Sequence, residues 1–268
     1  MKRAVAFAAG ALAGAIIIRE RRARGAAERF AAASLETLLN AIDANDAQTG
    51  AHVRRVAAYA LIIADAAGLR AREKQTVERV ALFHDIGKIH EALFDIIHDE
   101  TTLTPEDRRA IATHPRRGAT VLAPLCAFDP DLADGVLSHH ERWDGGGYPR
   151  GLRGPRIPLA ARIVTLADTF DAITRRRRYR DPRNARHAAD AIAAERGGQF
   201  DPQLVDLMLL PPVWERIVKA HREAHRRRHA RHERREGRQE TPVPKIKFRW
   251  RHGGRESPAQ PQPSRTPR

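Results

Sequence analysis

The chain has 268 residues, of which 42% are hydrophobic and 30% charged, a composition typical of one sizeable domain with polar appendages. Lys and Arg number 48 against 33 Asp and Glu, so the formal net charge is +15. Cys126 is the one cysteine, which excludes a disulfide framework within the chain and a zinc site built from several thiolates.

An apolar run, AVAFAAGALAGAIII, occupies residues 4–18 and is flanked by basic residues on both sides. The run is shorter than the roughly 20 residues that a transmembrane helix needs. Three interpretations are open: an uncleaved membrane anchor, a cleaved signal peptide and a buried helix of the domain. The arginines that follow the run, from Arg19 to Arg24, disfavour export. We therefore favour an anchor and basic flank over residues 1–30, with the rest of the chain on the cytoplasmic side of the membrane.

Residues 31–220 form the part of the chain that can fold around a core. Hydrophobic residues recur there at intervals of three and four, as in Val53, Val56 and Ala60, and this spacing is typical of amphipathic helices. No sustained alternation of apolar and polar residues predicts a strand. The sequence therefore predicts an all-α domain.

Residues 221–268 lose the apolar pattern and carry much of the positive charge. They hold 15 Lys and Arg against five Glu. The first part is a polar basic stretch compatible with a helix, and the part from Thr241 onward contains several prolines, a composition typical of disorder. We predict a basic disordered tail that offers weak contacts to nucleic acid or anionic lipid.

Ionisable side chains occupy the apolar face of three predicted helices. The pairs His84-Asp85 and His139-His140 continue the hydrophobic face of their segments, and Asp168 lies one turn after Val164. A single inward histidine is more often a hydrogen-bonded core residue. Three helices that each present such groups favour a metal centre, because buried ionisable groups are costly unless they are paired or bound to a metal. Imidazole and carboxylate together suit divalent Fe, Mn, Zn or Ni.

Five motifs occur in a fixed order between residues 35 and 210: TGAHVRRV, HDIGK, HPRRG, HHERWDGGGYPRGLRG and IPLAARIVTLADTFDAITRRRRYR. This ordered set resembles the HD-GYP subgroup of the HD superfamily of metal-dependent phosphohydrolases. The block from His139 to Pro149 is the most specific, because it joins paired histidines to Gly147-Tyr148-Pro149. The resemblance implies a bundle of about seven helices around a binuclear or trinuclear metal centre that hydrolyses cyclic di-GMP.

The resemblance also implies seven metal ligands in two sets, with Asp85 bridging two divalent ions, Fe or Mn being the first candidates. The first set is His52, His84, Asp85 and Asp168, and the second set is His114, His139 and His140. Members of the family with a third metal carry a glutamate four residues before the first histidine, where this chain has Gln48. A neutral amide is a poor replacement for a carboxylate, so we predict two ions.

Residues beyond the metal ligands match the family's substrate contacts. Lys88, Arg177 and Arg180 match positions that contact phosphate, and Tyr148 matches a contact to the base or backbone of the nucleotide. The resemblance thus makes Asp85 and Lys88 the residues central to catalysis.

Other polar residues near these motifs receive plainer interpretations. We predict that Glu141, Trp143 and Asp144 shape the glycine-rich loop, and that Asp171 is a structural acid within its helix.

Two alternatives to a cyclic di-GMP phosphodiesterase stay open. One is an HD phosphohydrolase that acts on another nucleotide, and the Gly-Tyr-Pro block argues against it. The other is a catalytically silent scaffold or ligand-sensing module, and the complete ligand set argues against that. The native metal, the final product (the linear dinucleotide or GMP) and the oligomeric state, with a homodimer as one alternative, stay open as well.

Overall fold

The computed structural model describes five stretches of the chain and gives the backbone alone for residues 227–236. The stretches are residue 25 and residues 27–44, 46–89, 104–174 and 185–236. The apolar run at residues 4–18, Arg177, Arg180 and the end of the predicted tail lie outside them. None of the helices in these stretches is both long enough and apolar enough to cross a membrane.

Helices provide nearly all the regular structure in these stretches. They are α1 (27–44), α2 (Ala47–Ala66), α3 (Ala71–Phe83), α4 (Pro105–Ile111), α5 (His114–Leu122), α6 (Leu132–Leu137), α7 (Leu159–Thr174), α8 (Ala185–Ala194), α9 (Pro202–Leu209) and α10 (Pro211–Glu236). Within the described residues there is no β-strand, and one isolated bridge joins Arg196 to Phe200. The predicted all-α fold is confirmed, with nine helices, α2 to α10, assigned within the described residues. The chain divides into two units after Arg226.

The core lies where α2, α3 and α7 pack against one another. Val53, Val56 and Ala60, which predicted the amphipathic character of α2, are each at most 1% exposed. Helix α7 is buried over most of its circumference, because its sequence, LAARIVTLADTFDAIT, is apolar on several faces. The few polar side chains on α7 are therefore placed inside the protein.

The residue at which α2 begins fixes the position of His52, the first metal-ligand candidate, along the helix. The carboxylate of Asp46 caps the helix by accepting hydrogen bonds from the backbone N–H groups of Gln48 (2.8 Å) and Thr49 (3.0 Å). His52 then lies in the second turn, on the side of α2 that faces α7.

A short 3₁₀ turn, Ile86–Ile89, packs directly against α5. A Cβ atom at Gly87 would lie 2.1 Å from the carbonyl oxygen of His114 and 2.8 Å from the backbone nitrogen of Gly118. Only glycine allows this contact between the two backbones. The turn thereby holds Asp85 and Lys88 beside the first residue of α5.

Candidate metal centre

Histidines and aspartates from five helical segments meet at one place in the bundle. Two groups of side chains have potential ligand atoms within 4.8 Å of one another. The first cluster is His52, His84 and Asp85, and the second cluster is His114, His139 and His140. The structure thus brings together all the ligand candidates of the sequence analysis, with Asp168 beside the first cluster.

The first cluster joins α2 to the end of α3 and to α7. Nε2 of His52 lies 3.2 Å from Oδ1 of Asp168, and Nε2 of His84 lies 3.9 Å from the same oxygen. Nε2 of His84 also lies 3.6 Å from Oδ2 of Asp85. These atoms face a common point, as ligands of one ion would.

The second cluster lies on the other side of Asp85. Nε2 of His114 is 3.1 Å from Nε2 of His139, and the ring of His140 is centred 4.1 Å from that of His139. Oδ1 of Asp85 lies 3.3 Å from Nε2 of His114 and 3.9 Å from Nε2 of His139. Asp85 therefore presents one carboxylate oxygen to each cluster.

Three of the histidines are oriented by the backbone of their own segment. Nδ1 of His84, His114 and His139 each lies 2.7–2.8 Å from the carbonyl oxygen three residues earlier. A carbonyl oxygen only accepts, so Nδ1 carries the proton and Nε2 is left as the ligand atom. Each of these carbonyls belongs to the last turn of a helix, where intrahelical partners are lacking.

Burial and neighbouring charges keep several of these groups in the protonation state that binds a cation. Burial, together with the proximity of other histidines, lowers the pKa of His139 well below its ordinary value and that of His140 to about 4. Burial opposes ionisation of Asp85, but the positive charge of Lys88 and the neighbouring His84 and His114 hold its pKa well below the ordinary value. Neutral imidazole and ionised carboxylate are the forms that bind metal.

His52 differs from the other histidines. Burial lowers its pKa, but the hydrogen bonds to Asp168 and Asp171 outweigh burial and raise the pKa to about 9. A cation that binds at Nε2 therefore has to displace a proton.

The donor set fits a divalent ion. Nε2 of His84 is buried without a hydrogen-bond partner among the described residues, a costly state for a polar atom. Oδ1 of Asp85 likewise accepts no hydrogen bond of normal geometry, although Nζ of Lys88 lies 2.7 Å away. A cation bound by imidazole and carboxylate would satisfy both atoms. The clusters are consistent with a metal site.

Two residues predicted to contact substrate lie at the edge of the clusters. Nζ of Lys88 is 2.8 Å from Oδ2 of Asp85, and the ring of Tyr148 stacks on that of His140 with centroids 4.9 Å apart. Burial and the negative charge of Asp85 raise the pKa of Tyr148 to about 12, so its hydroxyl keeps its proton.

The glycine-rich loop that carries Tyr148 is held by a buried glutamate. The two carboxylate oxygens of Glu141 accept hydrogen bonds from the backbone N–H groups of Arg150 (2.7 Å) and Leu152 (2.9 Å). The backbone N–H of Tyr148 donates to the carbonyl oxygen of His140 at 3.2 Å. These bonds fold the loop back over His140, in line with the loop-shaping role expected for Glu141.

The sequence analysis missed the contacts of Asp171. Its carboxylate lies 2.7 Å from Nδ1 of His52 and accepts two hydrogen bonds from Arg55. Asp171 is a buried acid inside its helix, as expected, but its partners lie on another helix and include a metal-ligand candidate. One signal was available: Asp171 follows Asp168 by three residues, so both lie on the same face of α7.

The chain is similar to several known proteins. The HD domain family matches residues 36–204. A 3′3′-cGAMP-specific phosphodiesterase of Vibrio cholerae is 36% identical over 64% of this chain and 33% of its own length. A cyclic di-GMP phosphodiesterase response regulator of Xanthomonas campestris is 38% identical over 66% of this chain and 47% of its own length. The chain thus spans less than half the length of these two relatives.

A solved structure shares the fold. The cyclic GMP-AMP-specific phosphodiesterase V-cGAP3 of V. cholerae superposes with a TM-score of 0.53 at 23% identity, over 72% of this chain and 51% of that chain.

Proposed function

The chain belongs to the HD domain family, as its sequence motifs predicted, and on that premise we propose that its two clusters hold metal ions and hydrolyse a phosphodiester bond of a cyclic dinucleotide. The observation that carries this proposal is the position of Asp85 between the two clusters. Its two oxygens lie 3.6 Å from Nε2 of His84 on one side and 3.3 Å from Nε2 of His114 on the other. A carboxylate shared in this way is suited to bridging two cations.

We propose two divalent ions, Fe or Mn. His52, His84, Asp85 and Asp168 would hold one ion, and His114, His139 and His140 the other, with Asp85 shared. Divalent ions bound there would supply Lewis-acid charge to the phosphate and lower the pKa of the attacking water. Gln48, which lies exposed in the first turn of α2, supports two ions rather than three because its amide carries no charge.

The side chains at the edge of the clusters act on the substrate. Lys88 donates a charged hydrogen bond to a non-bridging phosphate oxygen, where negative charge increases in the transition state. Tyr148 keeps its proton and donates from its hydroxyl, while its ring is held against His140. Arg177 and Arg180, outside the described residues, are proposed as further phosphate contacts.

Cyclic di-GMP is the first candidate substrate, and 3′3′-cGAMP is the second. Both are named as substrates of relatives, and the identities to these relatives, 38% and 36%, do not separate the two candidates. The two molecules share the cyclic phosphodiester ring, so the chemistry proposed for the site is the same for both.

Two further proposals concern the apolar run, which lies outside the described residues, and the basic tail, which lies largely outside them. The apolar run at residues 4–18 would anchor the chain to the membrane with the catalytic domain on the cytoplasmic side. The basic tail would add contacts to anionic lipid or nucleic acid. A homodimer is a third proposal that only a measurement of mass in solution decides.

A product assay tests the proposed activity. The purified chain is loaded with Mn²⁺ or Fe²⁺ and incubated with cyclic di-GMP and 3′3′-cGAMP in parallel, and the products are resolved by ion-exchange chromatography. We expect the linear dinucleotide, GMP or both from at least one substrate, and no product after treatment with a chelator. A metal-loaded protein that binds either dinucleotide without cleaving it would instead establish the silent ligand-sensing alternative.

A further inference from the structure

His52 is oriented by a different kind of group from the other ligand candidates. Nδ1 of His84, His114 and His139 faces a backbone carbonyl oxygen of the same segment. Nδ1 of His52 instead faces Oδ2 of Asp171 at 2.7 Å, and this carboxylate comes from another helix. The ring of His52 therefore lies between two carboxylates of α7, with Asp168 on its Nε2 side and Asp171 on its Nδ1 side.

Asp171 is itself held in place by Arg55. Nε of Arg55 donates to Oδ1 at 2.7 Å, and Nη2 donates to Oδ2 at 2.9 Å, a two-point contact that fixes the plane of the carboxylate. The side chain of Asp171 is 2% exposed and that of Arg55 is 19% exposed, so water screens this pair little. Each helix contributes one ligand candidate and one supporting residue, three positions apart.

We propose that Asp171, locked by Arg55, is a positioning residue that holds His52 with Nε2 directed at the metal. Asp171 accepts a hydrogen bond from the Nδ1–H group of His52, so it fixes the tautomer and the angle of the ring. Its negative charge also makes Nε2 a stronger donor to a cation. This inference rests on the proposed metal centre and adds that its two ions depend on different parts of the protein.

Loss of the Asp171 charge should weaken the binding of one ion and leave that of the other unchanged. Removing the charge of Asp171 leaves the positive charge of Arg55 close to His52 and weakens the hydrogen bond that orients the ring. Residues that support metal ligands in this way typically change metal affinity by 10–100-fold. The second cluster has no ligand oriented by Asp171, so its affinity for an ion should stay the same.

The chain provides a matched control on the same helix. Arg54 precedes Arg55 and makes a similar two-point contact with the carboxylate of Asp43, at 2.6 Å for the first of its two bonds. The side chain of Arg54 is 46% exposed, and its partner belongs to α1 rather than to the site. A change at Arg54 removes the same kind of ion pair without touching His52.

Titration of the metal-free chain with Co²⁺ tests the proposal without any substrate. Visible absorption counts the ions, and circular dichroism with thermal melting checks the fold. For Asp171→Asn we expect one ion to bind 10–100-fold more weakly and the other within threefold of the unsubstituted chain. Arg55→Met should weaken the same ion by a smaller factor, and Arg54→Met should leave both affinities unchanged.

The proposal is overturned if Asp171→Asn and Arg55→Met bind both ions with the affinity of the unsubstituted chain, or if Arg54→Met weakens binding as much as Arg55→Met. If Asp171→Asn does not fold, Arg55→Met decides the question, because it keeps the packing volume and the carboxylate. A chain that binds two Co²⁺ ions but cleaves neither dinucleotide would contradict the proposed activity alone, and the Co²⁺ affinities would still decide this inference.

Discussion

Both clusters of the metal centre contain histidines, but one histidine of the first cluster, His52, is oriented by a different part of the fold. In the second cluster, Nδ1 of His114 and of His139 is bound by carbonyl oxygens at the ends of adjacent helices. In the first cluster, His52 depends on a carboxylate from a helix more than a hundred residues later in the chain. A histidine bound by a nearby carbonyl oxygen keeps its orientation as long as the end of that helix forms. The orientation of His52 instead requires that α2 and α7 pack together, and a single substitution at Asp171 removes the contact.

Asp85 is the residue that both clusters share, so its loss has the largest expected effect. Asp85→Ala removes the carboxylate that faces both clusters, and both ions should weaken together with hydrolysis becoming undetectable. Metal content by elemental analysis and product formation by chromatography measure the two effects. Asp65→Ala, which removes an exposed carboxylate paired with Lys74 and Arg216, serves as the control. Near-normal hydrolysis by Asp85→Ala would contradict the assignment of the metal centre.

Lys88 lies beside both clusters but is predicted to act on the substrate. Lys88→Ala should keep the full metal content and lose about 1–3 kcal/mol of transition-state stabilisation, the value of one charged hydrogen bond. Steady-state kinetics and elemental analysis on the same sample check this result. Lys74→Ala removes a lysine that pairs with Asp65 on the surface and should leave the metal content and the rate of hydrolysis unchanged. Loss of metal from Lys88→Ala would show that the lysine supports a cluster.

A substitution at Glu141 tests whether this buried carboxylate holds the glycine-rich loop beside the second cluster. Glu141→Gln replaces one of two oxygens that accept backbone N–H groups by an amide donor, which costs about 1–2 kcal/mol in a buried position. We expect KM for the dinucleotide to rise about tenfold with metal content unchanged, since Tyr148 loses its fixed place over His140. Asp206→Asn is the control, because it changes an exposed carboxylate that pairs with Arg196 outside this loop. A normal KM for Glu141→Gln would show that the loop keeps its place without this anchor.

A substitution at Gln48 tests whether the first cluster is limited to one ion. Elemental analysis of the metal-loaded chain should give about two ions per chain, and Gln48→Glu should raise this number by adding a carboxylate one turn before His52. Gln75→Glu, at an exposed position of α3, controls for a nonspecific effect of added charge. About three ions in the unsubstituted chain would contradict the prediction.

Deletion of residues 2–18 should have the smallest effect on catalysis, because both clusters lie elsewhere in the chain. The full chain should stay with the membrane pellet after alkaline washing, whereas the shortened chain should be released with unchanged hydrolysis. Recovery of the full chain in the soluble fraction of cell extracts would contradict the anchor and leave the proposed catalysis untouched.

The sequence was informative wherever the signal was local. The three-to-four spacing of apolar residues predicted α2 and α3. The same spacing indicated that His84, His139 and Asp168 face inward; the two histidines are at most 2% exposed, and Asp168 lies beside His52 with its side chain 27% exposed. The role of Asp171 was not predicted, because its partners His52 and Arg55 lie 119 and 116 residues away and only the packed bundle brings them together.

The contact between Gly87 and α5 has a consequence for how tolerant the protein is of mutation. Because a Cβ atom at position 87 would overlap the carbonyl oxygen of His114, replacing this glycine would push α5 away from the 3₁₀ turn that follows Asp85. A screen that scores every substitution by loss of activity would therefore rank Gly87 with the metal ligands. Yet its side chain is a single hydrogen atom, and its importance would reflect the absence of volume rather than any chemical group.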